Sequence, residues 1–189
     1  MKKILIITAG GTIGMIPNPK TGSLEPAKDP LQFLKLMPDL AKLAEIDLRP
    51  LFNIDSSNMA QPEWTQIATT IHENYNNFDG FVVIQGTDTL AYSSSAISYA
   101  LQGLNKPVVF TGSLLPAFEL GSDAINNLIY ACMTATQDIA EVCVVFSNKI
   151  LRANRSKKHH ESFLVGFHSP VFPPIGELGR PIKLNEWRF

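Results

Sequence analysis

Apolar residues in this chain follow two rhythms. One is a set of short β-forming runs at residues 4–8, 46–52, 81–84, 107–111 and 141–147. The first, Ile4-Leu5-Ile6-Ile7-Thr8, is nearly unbroken, as expected of a strand buried on both faces of a parallel sheet. The other rhythm recurs every three or four positions and predicts helices. One starts near Pro30 and runs through Phe33, Leu34 and Leu36 to Met37. A second is opened by Pro62 in its first turn, with Trp64, Ile67, Ile71 and Tyr75 on one face. A third covers residues 91–104 and a fourth residues 123–135. The order is strand, loop, helix, strand, helix, strand, helix, strand, helix, strand. That alternation predicts an α/β fold: a doubly wound, mostly parallel sheet with flanking helices, flavodoxin- or Rossmann-like.

Two stretches interrupt the pattern. Residues 15–30 hold Pro17, Pro19, Gly22, Pro26 and Pro30, which break regular structure. They predict a loop, with room for a short hairpin, placed as a lid. Residues 167–181 hold Pro170, Pro173, Pro174, Gly176, Gly179 and Pro181, and predict an extended linker leading out of the domain. The expected division is therefore a domain over residues 1–168 and the start of an inter-domain linker over 169–189. Trp187 and Phe189 stand at its end. On this reading the chain is the first domain of a longer protein.

Composition narrows the function only a little. The 189 residues, 45% hydrophobic and 17% charged, suffice for one sizeable core. A net charge of −1 gives no global field that favours nucleic acid or a membrane surface. Cys132 and Cys143 lie in apolar surroundings and are expected buried and reduced. The apolar start is too short for a signal peptide and runs into a Gly-Gly turn. No stretch is long enough to span a bilayer. A cytoplasmic protein is expected.

The candidate chemistry sits where strands end. Thr12, Ser56 with Ser57, Thr87 with Asp88, and Ser113 each follow a predicted strand. In a parallel sheet these groups gather along the carboxyl edge, where ligands bind. A threonine hydroxyl is a weak nucleophile and needs a base or an electropositive setting. Asp88 suits a substrate ammonium group. The amides around Gly10-Gly11 and Gly86 can serve an oxyanion, because glycine lets backbone approach closely. Arg152, Arg155, Lys157 and Lys158 follow the last strand, and a desolvated lysine there can act as base.

The same residues have plainer uses. A threonine after a strand serves as a turn or N-cap residue, and Asp88 can cap the next helix. The basic run, with His159 and His160, reads equally as a solvated face. Adjacent His159, His160 and Glu161 point different ways, so no metal is expected. Ala9-Gly10-Gly11-Thr12-Ile13-Gly14 fits neither glycine-rich phosphate loop.

Taken together, these motifs resemble the amino-terminal domain of bacterial L-asparaginases, most closely the cytoplasmic type I branch. The resemblance rests on Gly10-Gly11-Thr12-Ile13 and Gly86-Thr87-Asp88-Thr89, with Asp55-Ser56-Ser57-Asn58-Met59 between them. Residues 107–113 and Ser122-Asp123 look like later family segments. It implies that Thr12 attacks the side-chain amide and forms an acyl-enzyme. Thr87 and Lys158 would handle protons, Lys158 being placed by Asn154-Arg155-Ser156-Lys157-Lys158, with Lys157 the alternative if the register slips. Asp88 would bind the substrate α-ammonium, and Asp55, Ser56 and Ser57 the α-carboxylate end. The substrate would be L-asparagine, with L-glutamine as an alternative. No cofactor is implied, and the full-length protein would be a homo-oligomer.

Three departures stand out. Ala9 replaces the family's usual threonine and Gln85 its usual histidine. Many members carry a lid tyrosine, whereas here Ser23 sits near that place. Two rival readings remain beside the main one. One is the ammonia-supplying, asparaginase-like subunit of a tRNA-dependent amidotransferase. The other is a non-catalytic amino-acid-binding module.

Overall fold

The computed structural model describes residues 1–27, 29, 32–160, 163–179 and 181–186. Its elements in chain order are β1 (Lys3–Gly10), β2 (Met15–Pro17), β3 (Leu24–Pro26), β4 (Glu45–Ile54), α1 (Gln61–Asn74), β5 (Gly80–Ile84), α2 (Thr87–Ala100), β6 (Val108–Thr111), α3 (Ala124–Ala135), β7 (Val142–Phe146), β8 (Lys149–Arg152), β9 (Lys157–Lys158), β10 (Phe167–His168), β11 (Gly176–Glu177) and β12 (Lys183–Leu184). Among the described residues the main sheet has eight strands in the order β12-β11-β8-β7-β6-β5-β1-β4. The run β4-β1-β5-β6-β7 is parallel, and β8, β11 and β12 extend it antiparallel. The doubly wound α/β architecture is as expected. Because β4 lies outside β1 while β5 lies inside it, the strand order reverses between β1 and β5. A crevice opens there at the carboxyl ends, the place where such sheets take ligands.

Strand periodicity divides the core. Ile4, Ile6, Val82, Ile84, Val109 and Val145 face one side, against Ala124, Leu128, Ala131 and Cys132 of α3. Leu5, Ile7, Phe81, Val83, Phe110 and Val144 face the other, against Ile67 and Ile71 of α1 and Leu90 and Ile97 of α2. Each of the valine, leucine, isoleucine and phenylalanine side chains among them contributes roughly 1.5–3 kcal/mol on burial. Cys132 and Cys143 are buried and unpaired, and burial pushes the Cys132 thiol up to about 12.

Four local differences from the sequence reading have physical causes. The helix expected from near Pro30 to Met37 is a 3-10 turn, Gln32–Leu36, and a second such turn, Pro38–Lys42, follows it. A residue before proline is kept out of the α region, and Met37 sits at φ −130°, ψ 58°. Pro30, where that helix was expected to start, lies outside the described residues. Secondly, α2 starts at Thr87 rather than near Ala91, because Gly86 takes an extended N-cap conformation. The polar Thr87-Asp88-Thr89 segment then fills the first turn, where a carboxylate is favoured by the free amides. Thirdly, residues 149–152 are a further strand that the pattern did not signal. Finally, the proline-rich stretch expected as a linker adds to the sheet: Gly176–Glu177 pairs with β8, and Ile175 and Leu178 are buried beside it. Two-residue strands leave no periodicity to read. Trp187 and Phe189 lie outside the described residues.

A close approach between the ends of β1 and β5 joins Gly11 to Gly86. Gly11 has φ +100°, and a Cβ on it would fall 2.4 Å from the Gly86 nitrogen. Gly11→Ala is expected to cost about 3 kcal/mol or more, from combined backbone strain and overpacking. Urea denaturation measures it, and an unchanged midpoint would show that the strand ends separate freely.

Candidate active site

Three loops converge at the crevice between β1 and β5. After β1, Gly10 and Gly11 lead into the single 3-10 turn Thr12–Gly14, which leaves Thr12 half-buried. After β5, Gly86 leads into α2, whose first turn carries buried Thr87 and exposed Asp88. After β4, Asp55 caps the short turn Ser56–Asn58. Gly86 touches both neighbours. Its backbone meets Gly11, and a Cβ on it would lie 2.6 Å from Ser56 Oγ. Each glycine is followed by a threonine, so the contact that joins the glycines also fixes where Thr12 and Thr87 begin. Ser113 follows β6 on the same edge but is buried, its hydroxyl donating to the Leu115 carbonyl at 2.6 Å.

A fourth segment reaches this edge from the antiparallel side. Lys158, on β9, donates from Nζ to Asp88 Oδ1 at 2.6 Å. Its side chain is 17% exposed, whereas that of Asp88 is 61% exposed. With one partner this open, the pair is worth at most about 1 kcal/mol. It is therefore easily exchanged for another cation. The lysine thus faces Asp88, and no hydrogen bond joins it to Thr87 among the described residues. Lys157 is exposed and lies opposite His168 in the two-stranded β9–β10 ribbon. Arg152 points elsewhere, donating to both carboxylate oxygens of Glu141.

The Asp55 carboxylate turns back on its own loop, accepting from the Ser57 hydroxyl at 2.7 Å and the Ser57 amide at 2.8 Å. These two bonds, the hydroxyl first, hold the carboxyl below the usual carboxylate range. Ser56 is buried and Ser57 exposed. The β2–β3 hairpin follows the Thr12 turn directly, in the position expected of a lid. At its tip Ser23 is exposed and shares a 2.7 Å hydrogen bond with the Thr21 hydroxyl. No bond joins Ser23 to Thr12 among the described residues.

The histidines form a group the sequence did not signal. The ring of His159 lies 4.0 Å from that of His160 and 4.4 Å from that of His168. The charge of His160, some desolvation, and the charges of His168 and Lys157 push His159 below its ordinary pKa. Glu161 lies outside the described residues. No group of three metal-ligating side chains converges among the described residues. A cleft of about 780 Å³ is bordered by Asp88 and Lys158, with Tyr92, Tyr99, His159 and His160 along its walls. Thr12, Thr87 and Ser56 do not line it. The cleft therefore lies beside the strand-end crevice and is not lined by its threonines.

Sequence reasoning missed a polar chain beneath the loops. Gln85 is buried, and its Nε2 donates to Thr89 Oγ1 at 3.0 Å and Ser93 Oγ at 2.9 Å. Ser93 Oγ also accepts from Trp64 Nε1 at 2.8 Å, and Thr89 Oγ1 donates to the Ser56 carbonyl at 2.8 Å. The signal was present: Gln85 precedes the helix, and Thr89 and Ser93 repeat polar groups four positions apart on its inner side.

Fold and edge together define a flavodoxin-like α/β domain with polar side chains gathered at its switch point. The family model for the amino-terminal asparaginase domain matches residues 3–188, and the chain belongs to the asparaginase family. L-asparaginase 1 of Escherichia coli K12 is 39% identical over 96% of this chain and 55% of its own length. A glutamyl-tRNA(Gln) amidotransferase component of Methanosphaera stadtmanae is 33% identical over 98% of this chain and 44% of its own. The crystal structure of L-asparaginase I from Vibrio cholerae superposes with a TM-score of 0.87 at 38% identity, covering 98% of this chain and 56% of that one. The chain thus spans about half the length of these relatives. No helix among the described residues is long and apolar enough to cross a membrane.

The Asp55 bonds make a pH prediction. The folded-state pKa is the lowered one, so the stabilisation is full above the unfolded value of about 3.9 and is lost as pH falls through the folded value. Carboxyl-carbon NMR is expected to show Asp55 titrating low, and Ser57→Ala to move it upward. An unmoved titration would deny the bond.

Proposed function

We propose that this chain is the catalytic, amino-terminal part of an L-asparagine amidohydrolase. One observation carries the reading: Thr12, Ser56 and the Thr87-Asp88 turn are drawn to one switch-point crevice, with Lys158 bonded to Asp88. The substrate α-ammonium takes Asp88, and the α-carboxylate lies against the Asp55–Ser57 loop. That directs the side-chain amide toward Thr12. Arrival of the ammonium removes the counter-ion of Lys158 and sets a like charge beside it, which favours release of the lysine proton.

Thr12 Oγ then forms a bond to the amide carbon while its proton passes through Thr87 to the lysine. The amides of the glycine-rich turns face the oxyanion. The lysine returns that proton through Thr87 to the leaving nitrogen as the C–N bond breaks, and ammonia departs. Water attacks the resulting ester by the same route and frees L-aspartate. No cofactor takes part. With Ser23 bonded to Thr21, activation of Thr12 falls to Thr87 and Lys158. A second domain, assembly into a homo-oligomer and a cytoplasmic setting belong to the same proposal.

The likeness to the amidotransferase component supports a second reading, in which the same step supplies ammonia to a partner. Binding of tRNA by a longer form of the chain would distinguish it.

Ammonia release from L-asparagine tests the main reading, using this chain and a form extended by a second domain. Thr12→Ala is expected to lower kcat at least about 1,000-fold, and Thr12→Ser to keep part of it. Turnover by Thr12→Ala equal to the parent would remove the assignment.

A further inference from the structure

We infer that Thr89 is a positioning residue for substrate binding, its hydroxyl aimed by Gln85 so that its proton must go to the Ser56 carbonyl. The inference rests on the reading of the Asp55–Ser57 loop as the seat of the substrate carboxylate.

Direction in the chain of bonds comes from donor arithmetic. A glutamine amide nitrogen carries two protons. Gln85 gives them to Thr89 Oγ1 and Ser93 Oγ, so each hydroxyl oxygen is already an acceptor. Ser93 accepts a second proton, from the Trp64 indole. Thr89 has one proton left to give, and Ser56 O is 2.8 Å away. That carbonyl also accepts from the Met59 amide at 3.0 Å, which closes the turn. Both of its lone pairs are thus used, one within the loop and one from α2.

Ser56 is held from two sides as a result. Gly86 presses on its side chain, and Thr89 grips its main chain. The turn bearing Ser56 and Ser57 has only three residues, all polar, so the Thr89 bond helps to set its height above the crevice. Gln85 is 1% exposed and Ser93 fully buried, so water cannot substitute for a lost partner there at no cost. Neither Gln85 nor Thr89 touches the reacting atoms in this arrangement. Their effect is therefore on binding rather than on the bond-making step.

Thr89→Val keeps the shape and removes the hydroxyl. In the extended chain it is expected to raise KM for L-asparagine about tenfold, with kcat within twofold of the parent. Thr89→Ser, which restores the hydroxyl, is expected to recover most of the affinity. Hydrogen exchange of the Asn58 and Met59 amides gives a readout independent of activity. These amides close the turn, and they are expected to exchange about tenfold faster in Thr89→Val but not in Thr89→Ser. An unchanged KM with unchanged exchange overturns the inference. So does a parallel fall of kcat with the thermal midpoint that Thr89→Ser does not rescue, because that would mark a general structural role. Should the parent release no ammonia, the reading of the site falls, and the exchange comparison alone decides whether Thr89 positions the loop.

Discussion

A contact between backbones organises this molecule. Gly11 and Gly86 approach so closely that neither has room for a Cβ, and Ser56 closes on Gly86 from the other side. Those residues belong to the ends of three adjacent strands, β4, β1 and β5. Removing side chains from the junction lets the strand ends converge. The polar groups that follow them are then brought to one crevice instead of being spread along a sheet edge. The buried aliphatic residues of β1 and β5 supply the rigidity that keeps those ends in place.

On that frame the electrostatics are spare. Asp88 sits in the first turn of α2, where free amides favour an anion, and its open side toward solvent leaves it available to a ligand. Lys158 reaches it from β9, which pairs with β10 in a separate two-stranded ribbon, across a separation of 70 residues in sequence. A weak, exchangeable pair suits the proposed role, in which an ammonium group enters and displaces the lysine. A deeply buried pair would resist that exchange.

Much of the fold was legible because parallel strands buried on both faces leave nearly continuous apolar runs, as in Ile4–Ile7 and Phe81–Ile84. Short pieces were not. The two-residue strands carry no periodicity: 176–177 pairs with β8, and 183–184 pairs in turn with 176–177. The start of α2 was hidden because Thr87, Asp88 and Thr89 are weak helix formers that the junction at Gly86 nonetheless holds in a first turn. Thr12, Thr87 and Asp88 could be placed by a rule about strand ends. The partner of Lys158 could not, since nothing local in the sequence ties β9 to α2. Gln85 was visible only as an odd residue in a motif, and its role emerged from the two hydroxyls it holds.

The most direct test is the position of a bound product. A crystal structure of the chain with L-aspartate is expected to show its α-ammonium on Asp88, its α-carboxylate on the Asp55–Ser57 loop, and its side-chain carboxyl beside Thr12 Oγ. Lys158 should have moved off Asp88. L-aspartate found in the cleft beside Tyr92 and Tyr99, with Thr12 and Ser56 untouched, would contradict the account.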